Sequence, residues 1–115
     1  MNLRKLPPLL AQQWLKYYLT YEPETGVFRW NIRNGAYIRP GRAAGTWDIG
    51  KDRFYIQIEG VKYLAHRLAW LYMTGDWPVY EIEHDDQNSQ NNRWINLKDM
   101  THSENVTKAW ANRKK

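Results

Sequence analysis

Residues 81–97, EIEHDDQNSQNNRWINL, set the organisation of the C-terminal third of the chain. VYEIE before the polar run and INLKDM after it each predict a short strand. Between them a single histidine, His84, stands among carboxylates and is followed by asparagines and glutamines with hardly an apolar residue. A polar surface loop requires far less amide than this, which indicates a role for the groups around His84.

The remaining sequence predicts an α+β chain. Helical spacing of apolar residues predicts one helix over residues 8–19 and another over AHRLAWLYMT, which Gly75 ends. VFRWN and DRFYIQI predict strands, and Glu59-Gly60 predicts a tight turn from the second of these into VKYLA. YEPETG predicts a turn, the glycine-rich residues 31–51 a long loop or an edge strand, and the residues from about 102 a final helix.

Length and composition limit the class of protein. A chain of 115 residues with 43 % hydrophobic and 15 % aromatic residues predicts one globular domain. It has no cysteine, which excludes a disulfide scaffold and the cysteine-rich zinc sites. No apolar run approaches ~18 residues, and the N-terminus lacks the features of a secretory signal. We therefore expect a cytoplasmic protein with no membrane partner.

Charge is distributed in blocks within a net charge of +5. Residues 27–80 carry eight basic and four acidic side chains, residues 81–86 carry four carboxylates, and KAWANRKK at the end carries four basic side chains. An acidic segment between basic ones suits a protein that binds or cuts a phosphate backbone and also holds a cation. A solvated surface with a basic tail explains the charges equally well.

Metal-site alternatives differ in how well they fit. A calcium loop starting at Asp85 or Asp86 lacks the glycine at position six and the glutamate at position twelve. A zinc site from His66, His84 and His102 would need side chains from different predicted elements. A hydrolytic site fits better, because a neutral imidazole can take a proton from water while carboxylate and amide oxygens hold Mg²⁺. Such a base needs a partner on its other ring nitrogen, and an asparagine amide oxygen can serve.

Residues 81–105 resemble the HNH nuclease motif, through EH at 83–84, NNRW..NL at 91–97 and THSEN at 101–105. AHRLAWLYMTGDWP, YEPETGVFRW and GRAAGT are similar to the N-terminal part of small phage and intron-encoded (homing-type) HNH proteins. The resemblance implies a small antiparallel β region with helices, followed by a ββα-metal (His-Me finger) motif. It implies a DNA-positioning region over residues 1–76 and a nuclease motif with a basic tail over 77–115, in one compact domain.

The resemblance also assigns roles to individual residues. His84 matches the general base and Asn96, twelve residues later, the residue that orients it. Glu83 and Asn105 match the ligands of a divalent cation, with Mg²⁺ favoured and Mn²⁺ possible, in an H–N–N variant. Glu83 is one methylene longer than the usual aspartate. In a regular strand Glu83 and His84 would face opposite sides, so both reach one phosphate only if the strand ends or bends there.

The implied function is a metal-dependent HNH endonuclease that hydrolyses double-stranded DNA and, as a monomer, nicks one strand; whether it is a monomer or a homodimer stays open. The alternative is an HNH-fold DNA-binding protein with weakened or lost cleavage, and an RNA-binding module would be a third class. His66 is expected to be a structural histidine. The residues expected to contact the DNA backbone are Arg33, Arg39, Arg42, Lys51, Arg53, Arg93, Lys108, Arg113, Lys114 and Lys115.

Overall fold

The structure, a computed structural model, describes residues 1–33 and 35–100. This part of the chain combines two α-helices with antiparallel strands, so the mixed helix and strand class is confirmed. The elements, in chain order, are a 3₁₀ turn at Leu3–Lys5, α1 (Pro8–Tyr18), β1 (Leu19–Glu22), β2 (Val27–Trp30), β3 (Ala43–Ala44), β4 (Thr46–Asp48), β5 (Arg53–Ile58), β6 (Val61–Leu64), α2 (Ala65–Thr74), β7 (Glu81–His84), a 3₁₀ turn at Trp94–Asn96 and β8 (Leu97–Met100).

The described strands form three antiparallel groups, β1–β2–β3, β4–β5–β6 and β7–β8. The predicted hairpin between β5 and β6 is confirmed, with Ile56 opposite Tyr63 and the turn at Glu59-Gly60. Alternation along β5 buries Ile56 and Ile58 and leaves Gln57 exposed, as the sequence pattern predicts for a half-buried strand.

The two described helices pack against each other and cover the sheets. Leu15 of α1 and Leu68 and Leu71 of α2 are fully buried, together with Phe28 of β2 and Ile56 of β5. α2 ends at Gly75, whose φ of 83° is the left-handed conformation that lets a helix stop without a steric penalty. Over the described residues, neither helix is long and apolar enough to cross a membrane.

Two boundaries differ from the predictions. The helix gives way at Leu19 to strand β1, since Leu19 and Tyr21 are buried while Thr20 between them is exposed, which is a period of two. The turn in YEPETG is therefore confined to residues 23–26. The segment 31–51 contains two short strands, β3 and β4, rather than one loop or edge strand. The predicted final helix lies outside the described residues.

Candidate active site

Strands β7 and β8 frame the polar segment, with Glu83 opposite Lys98 and His84 opposite Leu97. β7 ends at His84, where the N–H of Gln87 donates to the His84 carbonyl over 2.8 Å. Gln87 has a φ of 62°, so the chain turns sharply just after the histidine. Glu83 and His84 are both paired within β7, so their side chains leave the strand on opposite faces, and the chain turns only after His84.

Asp86 holds the connecting loop together. One of its carboxylate oxygens accepts from the Asn91 side chain over 2.7 Å, and the other accepts from the Asn88 N–H over 2.8 Å and the Asn96 side chain over 2.9 Å. These hydrogen bonds, with the one from Asn91 the largest, lower the pKa of Asp86. The Asp86 carboxylate is therefore engaged with the loop on both oxygens, which accounts for part of the dense amide content.

The side chain of Asn92, and not that of Asn96, meets the imidazole. Nε2 of His84 lies 2.8 Å from Oδ1 of Asn92. The side chain of Asn96 instead accepts from the Asp86 N–H over 3.0 Å and donates to Asp86 and to the Asn91 carbonyl. The physical reason is register: His84 pairs with Leu97, so Asn96 lies beyond the strand end, beside the backbone of the loop. The ring contact is therefore made by Asn92, while Asn96 contacts the loop that carries Asn92, and its role in orienting His84 stays a prediction.

This contact determines the tautomer of His84. An amide oxygen only accepts hydrogen bonds, so the neutral imidazole carries its proton on Nε2. Nδ1 is then the nitrogen with a lone pair. A ring held in this way can accept a proton at Nδ1 without changing its partner at Nε2.

The ring of His84 lines an open cleft of about 380 Å³. Two arginines reach this cleft from different elements, Arg53 from the start of β5 and Arg67 from the first turn of α2. Guanidinium groups beside an imidazole suit an anion such as a phosphodiester. The lining residues are Asp52, Arg53, Phe54, Leu64, His66, Arg67, Glu81, Ile82, His84 and Ser89.

His66, expected to be structural, lies against His84 on the wall of this cleft. The two rings meet edge to face, with centroids 5.2 Å apart. Burial, together with the smaller effects of the neighbouring His84, Arg67 and Arg53, lowers the pKa of His66 to about 4. His66 is therefore neutral at pH 7. The sequence pattern also did not single out Arg67 or Asn92. No spacing rule indicates an arginine next to a helical histidine, and none indicates one particular amide in an amide-rich loop.

Acidification should destabilise the protein through His66. In the unfolded chain His66 takes up a proton near pH 6.5, whereas in the folded chain it does so only near pH 4. The free energy of unfolding therefore falls as pH falls through this window, by up to ~1.4 kcal/mol per pH unit. Urea denaturation between pH 7 and pH 5 should show wild type losing about 2 kcal/mol more than His66→Gln. The same loss in both proteins would show that His66 does not carry this proton linkage.

The expected metal ligands are only partly within the described chain. Glu83 is half-buried in β7, and Glu81 on the same strand borders the cleft. Asn105 lies outside the described residues. Within residues 1–33 and 35–100, no three His, Cys, Asp or Glu side chains are grouped as a metal site.

The basic residues expected at DNA are exposed wherever the structure describes them. Arg53 borders the cleft beside His84 and also a second cleft of about 280 Å³, which Lys51 borders as well. Arg42 donates to the Tyr37 carbonyl over 3.0 Å, so part of its guanidinium holds its own loop. The side chains of Arg33, Arg39 and Arg93 are also exposed. Lys108, Arg113, Lys114 and Lys115 lie outside the described residues.

Comparison with known proteins gives one match. Residues 63–107 match the HNH endonuclease family, a segment that contains β6, α2 and the β7–loop–β8 unit. No curated protein and no solved structure matches the chain. HNH endonucleases generally use a divalent metal ion, and their domain implies a DNA substrate. The matched segment, in which His84 ends strand β7, is therefore similar to the HNH endonuclease family and supports that resemblance.

Proposed function

We propose that the protein is a metal-dependent DNA endonuclease that hydrolyses phosphodiester bonds and, as a monomer, nicks one strand. The observation that carries this proposal is the 2.8 Å contact between Nε2 of His84 and Oδ1 of Asn92. It leaves Nδ1 able to accept a proton, on a ring that lines a cleft shared with Arg53 and Arg67. Base and anion-binding groups therefore border the same space.

His84 would act as the general base. Its Nδ1 takes a proton from a water molecule, and the resulting hydroxide attacks the phosphorus. The bond from phosphorus to the 3′ oxygen breaks, and the 3′ oxygen ends as a hydroxyl while the phosphate stays on the 5′ side. Asn92 keeps the proton of Nε2 in place during this transfer, and Asn96 keeps the loop that carries Asn92 in one conformation.

Arg53 and Arg67 would bind the phosphate under attack. Both border the cleft beside His84. Charge-assisted hydrogen bonds from guanidinium to phosphate orient the phosphorus toward the imidazole and oppose the charge that grows on its oxygens. Arg67 also donates to the Tyr80 carbonyl over 3.5 Å, which ties its side chain to the segment before β7.

Mg²⁺, or Mn²⁺ in its place, would be held by Glu83 with Asn105. The donor set fits, since carboxylate and amide oxygens are the hard ligands these ions prefer. Asp86 is a poorer ligand because its carboxylate oxygens already accept from three loop donors. When bound, the cation supplies stabilisation of negative charge on the phosphate and the leaving 3′ oxygen.

The exposed basic residues before the motif would hold the DNA backbone. Arg33, Arg39 and Arg42 lie between β2 and β3, Lys51 lies just before β5, Arg53 begins β5, and Arg93 lies in the loop that carries Asn92. Contacts to phosphate position a duplex without reading its sequence. One HNH motif supplies one active site, which accounts for a nick rather than a double-strand break.

The decisive measurement is incubation of supercoiled plasmid with the purified protein. With Mg²⁺ or Mn²⁺ we expect conversion to the open circle before any linear form appears, and with EDTA no conversion. DNA ligase alone should reseal the nicks if the ends are 5′-phosphate and 3′-hydroxyl. Linear DNA as the first product would contradict single-strand nicking. Binding of DNA without any conversion would favour the alternative, an HNH-fold DNA-binding protein whose longer Glu83 no longer supports cleavage.

A further inference from the structure

The hairpin formed by β1 and β2 contacts the loop that carries Asn92, although some seventy residues separate them in the chain. Tyr21 of β1 donates its hydroxyl to the Asn92 carbonyl. The N–H of Trp94 donates to the carbonyl of Pro23, in the turn of the hairpin, over 2.9 Å. Both contacts are made to backbone atoms, one at Asn92 and one two residues later.

Gly26, in the same turn, lies directly against this loop. A Cβ atom at Gly26 would lie 2.4 Å from the carbonyl carbon of Asn92 and 2.5 Å from the nitrogen of Arg93. Real Cβ atoms do not approach backbone this closely, so no larger residue fits unless the loop moves. The hairpin and the loop are therefore packed backbone against backbone.

Tyr21 is held firmly enough to act as a fixed donor. It is 3 % exposed, and its ring lies 4.8 Å from that of Phe28 and 5.8 Å from that of Tyr72. Burial raises the pKa of Tyr21 well above its usual value, so its hydroxyl keeps the proton that it donates. Asn92 is also 3 % exposed, and little solvent reaches either partner.

These contacts leave Asn92 little freedom. Its carbonyl is bound by Tyr21, the residues after it are bound by the hairpin turn, and its side-chain oxygen lies 2.8 Å from Nε2 of His84. A shift of about 1 Å in this backbone would break the contact to the ring, and misplacement on that scale can cost ~10²-fold in rate. The hairpin, residues 19–30, lies outside the segment 63–107 that matches the nuclease family.

We propose that Tyr21 and Gly26 are positioning residues for the nuclease reaction, which hold Asn92 against the imidazole of His84 and thereby keep the proton on Nε2. The β1–β2 hairpin is then part of the nuclease site, and the matched segment is incomplete without it. This inference rests on the proposed role of His84 as the general base, but the tautomer of His84 can be measured whether or not the protein cuts DNA.

The test compares two variants with two matched controls. Tyr21→Phe removes only the hydroxyl that reaches Asn92, and Gly26→Ala forces the loop away from the turn. Tyr63→Phe is the control for the first, since Tyr63 is equally buried and its hydroxyl accepts from Leu3 N–H, 2.9 Å away. Gly60→Ala is the control for the second, because Gly60 has the same φ of +79° but no atom within 4 Å of an added Cβ.

Two readouts are needed in the full-length protein. Nitrogen-15 chemical shifts of the His84 ring at pH 8 should show the Nε2-protonated tautomer in wild type and both controls, and a mixture of tautomers in Tyr21→Phe and Gly26→Ala. In plasmid nicking, kcat should fall about 10-fold in Tyr21→Phe and about 10²-fold in Gly26→Ala. KM for DNA should stay within about twofold of wild type, since neither residue binds the backbone.

Each outcome has a defined meaning. An unchanged tautomer in a folded Tyr21→Phe protein would overturn the proposal, whatever its nicking rate. A kcat as low in Gly60→Ala as in Gly26→Ala would also overturn it, because backbone strain alone would then explain the loss. If wild type does not nick at all, the proposed function fails, while the tautomer shift still decides whether the hairpin positions His84.

Discussion

His84→Ala is expected to lower metal-dependent nicking by ~10²–10⁴-fold while the affinity for DNA stays near wild type. In the proposed mechanism Nδ1 of the imidazole accepts a proton from water during the chemical step, and a group with that role adds little to DNA affinity. Plasmid nicking in Mg²⁺ measures the first quantity. Binding of a labelled duplex in Ca²⁺, which we expect to support binding with little cleavage, measures the second.

Chemical rescue separates the base from a structural role. Free imidazole added to His84→Ala should restore part of the nicking, because it can enter the space of the missing ring and accept the same proton. Its addition to wild type should change nothing. Nicking by His84→Ala at the wild-type rate would remove His84 from the mechanism, and with it the reading of the 2.8 Å Asn92 contact as catalytic.

Glu83→Ala is expected to abolish nicking, whereas Glu83→Asp should keep the activity or raise it. The alanine removes the carboxylate that we propose as a ligand of the cation, and the aspartate restores the arm length usual in this position of the HNH motif. An error of about one ångström in ligand position is enough to change a rate ~10²-fold, so the aspartate effect is measurable. Nicking rates across a Mg²⁺ titration would show whether each variant is limited by metal affinity or by the chemical step.

Glu81→Ala is the matched comparison on the same strand. Glu81 borders the cleft beside His84, so it is the alternative carboxylate on this strand. We expect it to retain most of the activity at saturating Mg²⁺. Loss of nicking in Glu81→Ala with little effect in Glu83→Ala would show that the metal ligand is Glu81 and not Glu83. Similar rates for the alanine and aspartate variants of Glu83 would show that Glu83 holds no metal.

Much of the fold was predictable because the signals are local. The β5–β6 hairpin follows from alternating apolar residues and a Glu59-Gly60 turn, and α2 follows from helical spacing that stops at Gly75. β1 was missed because its apolar residues continue those of α1 without a break. Leu19 would be buried in a helix and also in a strand. The sequence alone therefore does not show where the helical spacing of apolar residues changes to the spacing of a strand.

The resemblance to the HNH family was also readable from the sequence. The spacing of Glu83, His84 and Asn96 points to the HNH motif, and the match over residues 63–107 agrees with it. Spacing does not show which of the six amide side chains in DDQNSQNNRWIN reaches the imidazole. That depends on the register His84–Leu97 and on the bonds of Asp86, which turn Asn96 toward the loop and leave Asn92 at the ring.

By itself, the sequence determined the class of fold, the β7–loop–β8 unit and the histidine most suited to act as a base. Tertiary structure alone decided what surrounds that histidine. Arg53, His66 and Arg67 reach it from β5 and α2, and Tyr21 reaches Asn92 from a hairpin near the start of the chain. The spacing of apolar residues shows which face of an element is buried, but not which distant element packs against that face. The environment of His84 therefore depends on packing between segments that are far apart in the chain. No sequence pattern indicates which of these segments meet.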